Sequence, residues 1–132
     1  MASALETIEQ TILSTFDTGW TAASRTEPIA WPNVDFEPPD GAWVRPEVLW
    51  GDGFIETQGS GNLIVGVLNV GIFVRRGIAE ALMFTLCDVV RDIVSRVNAA
   101  NIKFLAASGP QLVTGDPEWR HRVITTPFEA RE

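Results

Sequence analysis

Residues 62–98 constrain the fold more than any other part of the sequence, because no other segment is apolar enough to anchor a core. The first half alternates with period two, as a β-strand with one buried face does. One face of this strand is fully apolar: Ile64, Leu68, Val70, Ile72 and Val74. The opposite face consists of the odd-numbered residues from 63 to 73. It mixes apolar residues with Asn69 and Gly71, so we expect it to be covered only in part. The apolar row therefore predicts a helix packed over one side of a sheet.

A helical spacing of apolar residues replaces this alternation after Gly77. The stripe expected to pack on the sheet consists of Leu82, Leu86, Val89, Ile93 and Val97. Met83, Val90 and Val94 widen the apolar arc beyond what one sheet contact requires, and Phe84 lies on the polar side. Phe84 therefore either makes a second contact, with another subunit, or lies under a loop of its own chain.

The remaining segments predict the order helix, hairpin, helix, hairpin. Ser3 and Glu6 form a capping-box pattern that predicts a first helix over residues 4–16. Residues 42–74 are expected to form a long hairpin with a glycine-rich tip at 52–62. The strands expected after the second helix are 102–107, 111–114 and 119–126. Together these elements predict one α+β domain over residues 1–132, with an antiparallel-dominated, mixed sheet of four or five strands and two helices on one face.

The charge of the chain disfavours a grip on nucleic acid. Ten Lys and Arg face 17 Asp and Glu, which gives a net charge of −7 and argues against binding by phosphate neutralisation. A channel through which DNA only passes remains compatible with this charge. We expect a soluble protein without its own export signal, because the sequence shows no leader pattern and no membrane-length apolar run. The single cysteine, Cys87, fits assembly in a reducing cytoplasm.

No catalytic or metal-binding pattern stands out in the sequence. His121 is the only histidine, and it lies between two arginines that would disfavour its protonated form, so we expect a surface or groove residue. Cys87 has no CxxC partner. Asp52 and Glu56 are expected to be solvated carboxylates rather than an acid/base pair. We therefore expect no enzyme activity, no cofactor and no metal.

Several short segments together resemble a phage protein family. They are IAWPNVDFEPP at residues 29–39, Ala42-Trp43-Val44-Arg45 with the glycine-rich hairpin after it, residues 63–70 before the Gly77-led helix, and residues 119–128. Nearly the whole chain resembles the tail terminator-like proteins of long-tailed phages and prophages. One departure is Pro46, which stands where an uninterrupted strand is expected.

The resemblance implies a ring-forming structural subunit without catalytic residues. Such a protein forms a hexameric ring on the head-proximal end of the tail tube, stops tube polymerisation and provides the surface for head–tail joining. The implied partners are further copies of the chain, the major tail tube protein and a head-completion or connector protein. DNA would pass through the lumen without specific binding, and no membrane is involved. The implied location is the virion neck, after assembly in the host cytoplasm.

Three parts of the chain are candidates for subunit or tube contacts. They are Phe84, Met83 and Val94 on the second helix, Arg75 and Arg76 before it, and Phe54, Ile55, Glu56 and Gln58 at the hairpin tip. The arginines are alternatively two solvated charges, and the tip is alternatively a mobile surface hairpin. Two other classes stay open: another neck adaptor such as a head-completion stopper, and a small ligand-binding domain or enzyme, which a pocket with convergent polar groups would favour.

Overall fold

The computed structural model describes residues 4–56, 62–78, 80–99 and 101–131. The elements in chain order are α1 (Ala4–Ala22), β1 (Ala42–Glu56), β2 (Asn62–Arg75), α2 (Glu80–Val94), β3 (Asn98–Ala99), β4 (Ile102–Phe104), β5 (Ser108–Val113) and β6 (Trp119–Arg131). The described residues thus form two helices and an open antiparallel sheet of six strands, which confirms the α+β class. The sheet exceeds the expected four or five strands because β3 has two residues, too few to leave a periodic signal.

The sheet is organised around β6, which has a different neighbour on each side. The strand order is β1-β2-β6-β4-β3, and β5 pairs with β6 beside β4. On one side β6 pairs along its whole length with β2. On the other side its first half pairs with β5 and its last residues pair with β4. Residues of β1, β2, β6 and β5 therefore form rows that cross the sheet.

The helices cover one face of this sheet, and the apolar row predicted in β2 lies beneath them. All five of its members are buried: Ile64, Leu68, Val70, Ile72 and Val74. The side chains of α2 that are buried with them are Met83, Leu86, Cys87, Val90 and Val94. The helix is therefore rotated relative to the predicted stripe, because it packs against α1 as well as the sheet. Leu82, Val89 and Ile93 are only partly buried at the edge of the core.

The first helix continues beyond its predicted end at residue 16 to Ala22. Gly19 lies so close to α2 that an added Cβ would meet Ile93 Cγ2 at 2.6 Å. Trp20 is buried one residue later, stacks on Phe16 with ring centroids 5.7 Å apart, and donates its indole N–H to the Glu27 carbonyl at 3.0 Å. The glycine thus permits a close helix–helix approach instead of capping the helix.

Two prolines lie inside strands without interrupting them. In β1, the backbone N–H and carbonyl of Val44 bond to residues 28–30, away from β2. The backbone of Pro46, two residues on, points to the same side. Its missing N–H is therefore on the outer side of the sheet edge, where proline is tolerated. Pro127 directs its carbonyl to Leu105 N–H, on the side where β6 changes partner from β5 to β4. Both strands continue, so the doubt about pairing at Pro46 is resolved.

The face of the sheet opposite the helices is closed at one end by aromatic rings. Trp43 and Phe73 stack with centroids 3.9 Å apart and planes 4° apart, and His121 stacks on the other side of Phe73 at 3.9 Å. These three residues form one row across β1, β2 and β6. Trp119 and Phe36 pack around Trp43 at 5.9 and 5.0 Å. The rest of this open face is only partly covered, as the mixed pattern of β2 predicted.

Candidate assembly surfaces

Of the three predicted contact residues on α2, Phe84 is the one that the fold leaves exposed. Its side chain is 44% exposed, and the Arg122 guanidinium of β6 lies 5.0 Å from its ring centroid. It therefore does not lie under a loop. Met83 and Val94 are 0% and 1% exposed, packed in the chain's own core, so they offer no surface to a neighbour. Their assignment to an interface was wrong, because it assumed the wrong rotation of α2.

Arg122 also lines a cleft between the start of α2 and β5, with a volume of about 350 Å³. We call it the basic cleft; it is lined by Arg76, Glu80, Leu112, Val113, Thr114, Arg120 and Arg122. Three guanidinium groups and one carboxylate give it an excess of positive charge in a chain whose net charge is −7. Its apolar rim is Leu112, which is 55% exposed, together with the nearby Phe84.

The arginines of the basic cleft are held by short-range contacts. Arg120 donates to the Glu80 carboxylate and to the Ile78 carbonyl. Arg122 Nη2 lies 3.6 Å from the other oxygen of Glu80. Since one carboxylate serves two guanidiniums with five N–H donors each, donors remain for an incoming anion. The alternation of β6 indicates that both arginines share one face, but the sequence does not show that Glu80 meets them.

Arg75 is partly exposed and Arg76 is exposed, but both guanidinium groups also bond within the chain. Arg75 donates from Nε to the Asp40 carbonyl at 2.9 Å, and its guanidinium lies 4.6 Å from the Trp119 ring centroid. Arg76 donates from Nε and Nη2 to the Asp116 carbonyl at 3.1 and 2.9 Å. Each guanidinium therefore fixes a loop to the sheet. Only Arg76 lines the basic cleft.

Residues 33–37, before β1, form what we call the acidic loop. Its exposed side chains include Val34, Asp35 and Glu37. Val34 is 61% exposed, although its N–H bonds the Trp31 carbonyl at 3.3 Å. Phe36 points the other way and packs on Trp43. The loop is thus anchored by one aromatic side chain while it presents an apolar tip flanked by two carboxylates.

The hairpin formed by β1 and β2 extends as predicted, with a register shift between Trp50 and Phe54. Phe54, Ile55 and Glu56 pair with β2 through their backbones. Gln58 lies outside the described residues.

On the open face below the aromatic row, Leu49, Val67 and Pro127 form an apolar row across the sheet, with Leu49 exposed and the other two partly so. Among the described residues, those that line the basic cleft include none of β1, β2 or this row.

His121 is partly buried and Cys87 is fully buried, and burial shifts the pKa of each. Burial, followed by the charge of Arg45, lowers the pKa of His121. The arginines beside it in sequence point to the opposite face of β6, so the predicted lowering has a different source. Burial raises the pKa of the Cys87 thiol to about 11, which keeps it protonated and unreactive at neutral pH.

A groove of about 630 Å³ lies between α1 and the residues at and after the end of α2. Its lining contains hydroxyls, amides and small apolar groups but no ionisable side chain. Thr11 and Thr15 donate their hydroxyls to carbonyls of their own helix at 2.9 and 2.8 Å. The described residues contain no group of three or more His, Cys, Asp or Glu placed to hold a metal. This groove gives little support to a ligand-binding domain.

Comparisons with known proteins add information on the fold. No protein-family model matches the chain, and no curated protein sequence matches it. A solved structure whose name carries no functional description is similar over 99% of this chain and 98% of its own, with a TM-score of 0.73 and 18% sequence identity. At that identity the similarity shows the fold alone. Of the helices in the described part, none is long and apolar enough to cross a membrane.

Proposed function

We propose that this chain is a tail terminator subunit of a long-tailed phage or prophage. Six copies form a ring on the head-proximal end of the tail tube, stop tube polymerisation and provide the surface for head–tail joining. The ring is part of the virion neck and is assembled in the host cytoplasm. The segments that resemble the tail terminator-like family support this proposal, and the α+β fold agrees with what that resemblance implies.

The observation that carries the proposal is the distribution of exposed apolar side chains. Val34 lies beside the β1 edge, Leu112 and Phe84 lie beside the β5 edge, and Leu49 lies on the open face. A ligand-binding domain concentrates such groups in one concave pocket. A ring subunit instead needs a contact on each side for its neighbours and a further one along the axis. Exposed apolar side chains at both sheet edges and on the open face fit the needs of a ring subunit.

The charge of the chain is consistent with a channel that DNA traverses. The net charge of −7 would disfavour tight DNA binding to the channel wall. Arg75 is engaged with the Asp40 carbonyl and the Trp119 ring of its own chain. In this proposal DNA passes without specific binding. The subunit therefore acts through protein–protein contacts with the tube protein and a head-completion or connector protein.

The proposal is tested with purified chain and tail tubes assembled without a terminator. We expect rings at one end of each tube in electron micrographs and no further lengthening when free tube protein is added. Phe84→Asp should stay folded, by circular dichroism, yet fail to form rings. Decoration along tube sides, or no binding, would contradict the proposal. Binding to head connectors with no effect on tubes would favour a head-completion stopper.

A further inference from the structure

We propose that the acidic loop of one copy binds the basic cleft of the next copy, and that this head-to-tail contact closes the ring. The inference rests on the proposed function for the existence of a ring, and it assigns the surfaces that build it. The occupant of the basic cleft is therefore a second copy of this chain, entering with Val34, Asp35 and Glu37.

The chemistry of the two surfaces is complementary. Asp35 and Glu37 are exposed, and neither forms an ion pair with another described residue. The basic cleft offers three guanidinium groups that share one carboxylate, so it has both charge and N–H donors for them. Val34, the most exposed large apolar side chain among the described residues, would meet the apolar rim at Leu112 and Phe84. Burying these three side chains together removes apolar area from water on both partners.

The positions of the two surfaces suit a ring. One row of paired residues crosses the sheet from Val44 through Ile72 and Arg122 to Leu112. Residues 28–30, which lead into the acidic loop, bond to Val44 at one end of this row. The basic cleft lies at the other end, three strand spacings away, or about 15 Å. Two different surfaces at opposite ends of one row make a heterologous contact, which closes into a ring when the rotation between copies allows it.

Both surfaces are held in place by contacts within their own chain. Asn33 adopts a left-handed conformation with φ of 60°, and Phe36 fixes the acidic loop against Trp43. In the cleft, Glu80 and the Ile78 carbonyl position Arg120. Association between preformed surfaces loses less conformational entropy than association that must order a loop. Preorganisation on both sides thus favours a specific contact despite the small number of groups in it.

The first test reverses charge on one side at a time in the full-length chain. The cleft variant is Arg122→Glu, with Leu112→Glu as a second version, since residue 112 is 55% exposed and a substitution there should leave the fold intact. The loop variant is Asp35→Arg combined with Glu37→Arg. Each should raise the protein concentration needed for half-assembly, measured by light scattering, at least about 100-fold.

Matched controls carry the same charge changes elsewhere on the exposed surface. Arg91→Glu on α2 matches the cleft variant, and Asp17→Arg with Asp92→Arg matches the loop variant. Both controls should assemble like the parent. Thermal unfolding of every variant checks that the monomer is intact. Rings from the loop variant or from folded Leu112→Glu at the parent's concentration would overturn the inference.

Mixing the cleft variant with the loop variant gives the sharper result. The cleft variant in this mixture is Leu112→Glu, which keeps the three guanidinium groups and therefore still repels the arginines of the loop variant. It keeps a working loop and the loop variant keeps a working cleft, so an equimolar mixture contains one functional contact. We expect heterodimers that grow no further. Complete rings, or no association, from the mixture would overturn the inference. Variants that assemble and cap tubes normally would overturn this contact but leave the tail terminator function standing, whereas a parent that neither self-associates nor caps tubes would remove both.

Discussion

The two faces of the sheet are built from the same strands but are covered by different means. On one face α1 and α2 bury aliphatic and aromatic side chains in a continuous core. On the other, a smaller cluster of Ala30, Trp43, Phe73 and Trp119 closes one end, with Phe36 packed against it. The helix-covered face depends on many apolar contacts spread over both helices and the sheet. The open face depends on a few rings in defined positions, so its interactions are more specific and its remaining surface is available to partners.

The largest difference between the faces should appear at two neighbouring residues of β6. Phe128 is buried on the helix-covered face, where it contacts Trp50 and Phe104 with ring centroids 5.7 and 6.4 Å apart. Phe128→Ala should lower the free energy of unfolding by about 3–5 kcal/mol, through lost burial and the cavity it leaves. Pro127→Ala, on the open face, should cost about 1 kcal/mol or less. Urea denaturation measures both, and equal losses would contradict the comparison.

A second test adds volume instead of removing it. A Cβ on Gly66 would lie 2.6 Å from the Leu49 carbonyl oxygen and 2.8 Å from Phe128 Cζ. Backbone cannot move aside easily, so Gly66→Ala should destabilise the fold by about 1–3 kcal/mol. Gly41→Ala is the control, because a Cβ there meets no atom within 4 Å. Unfolding midpoints within error of each other for the two variants would show that the sheet accommodates the methyl group.

Sequence patterns predicted the helix-covered face better than they predicted the candidate site. The spacing of apolar residues along a segment shows which side of a strand or helix is buried. The buried row of β2 and the existence of α2 therefore follow from the sequence of those segments alone. The rotation of α2 does not, because Met83 and Val94 are buried by contacts with two elements that are distant in sequence. Likewise, the charges of Arg120 and Arg122 are visible in β6. Their pairing with Glu80, which lies 40 residues before Arg120 in the chain, depends on tertiary packing.

A third prediction concerns the aromatic row of the open face. Trp43 and Phe73 are nearly parallel at 3.9 Å, so they should stabilise the fold together by more than the sum of their separate burial. A double-mutant cycle with Trp43→Leu and Phe73→Leu should give a coupling free energy of about 0.5–1.5 kcal/mol. The same cycle on Ile72 and Val74, which face the helices, provides the reference. A coupling near zero for the aromatic pair would show that the row acts only as buried area.

The smallest expected effect is a pH dependence that originates on the open face. Burial and then Arg45 lower the pKa of His121, while Asp116 opposes them. In the unfolded chain this histidine titrates near 6.5, so below that pH the unfolded state binds more protons than the folded state. The free energy of unfolding is therefore unaffected by this linkage above about pH 6.5. It decreases as the pH falls from there through the lower pKa of His121 in the folded state. Denaturation of the parent and His121→Gln between pH 7.5 and 5 should show a steeper loss for the parent. Parallel profiles would show that the stacked histidine contributes no proton linkage and that the open face, like the helix-covered one, is stabilised by packing alone.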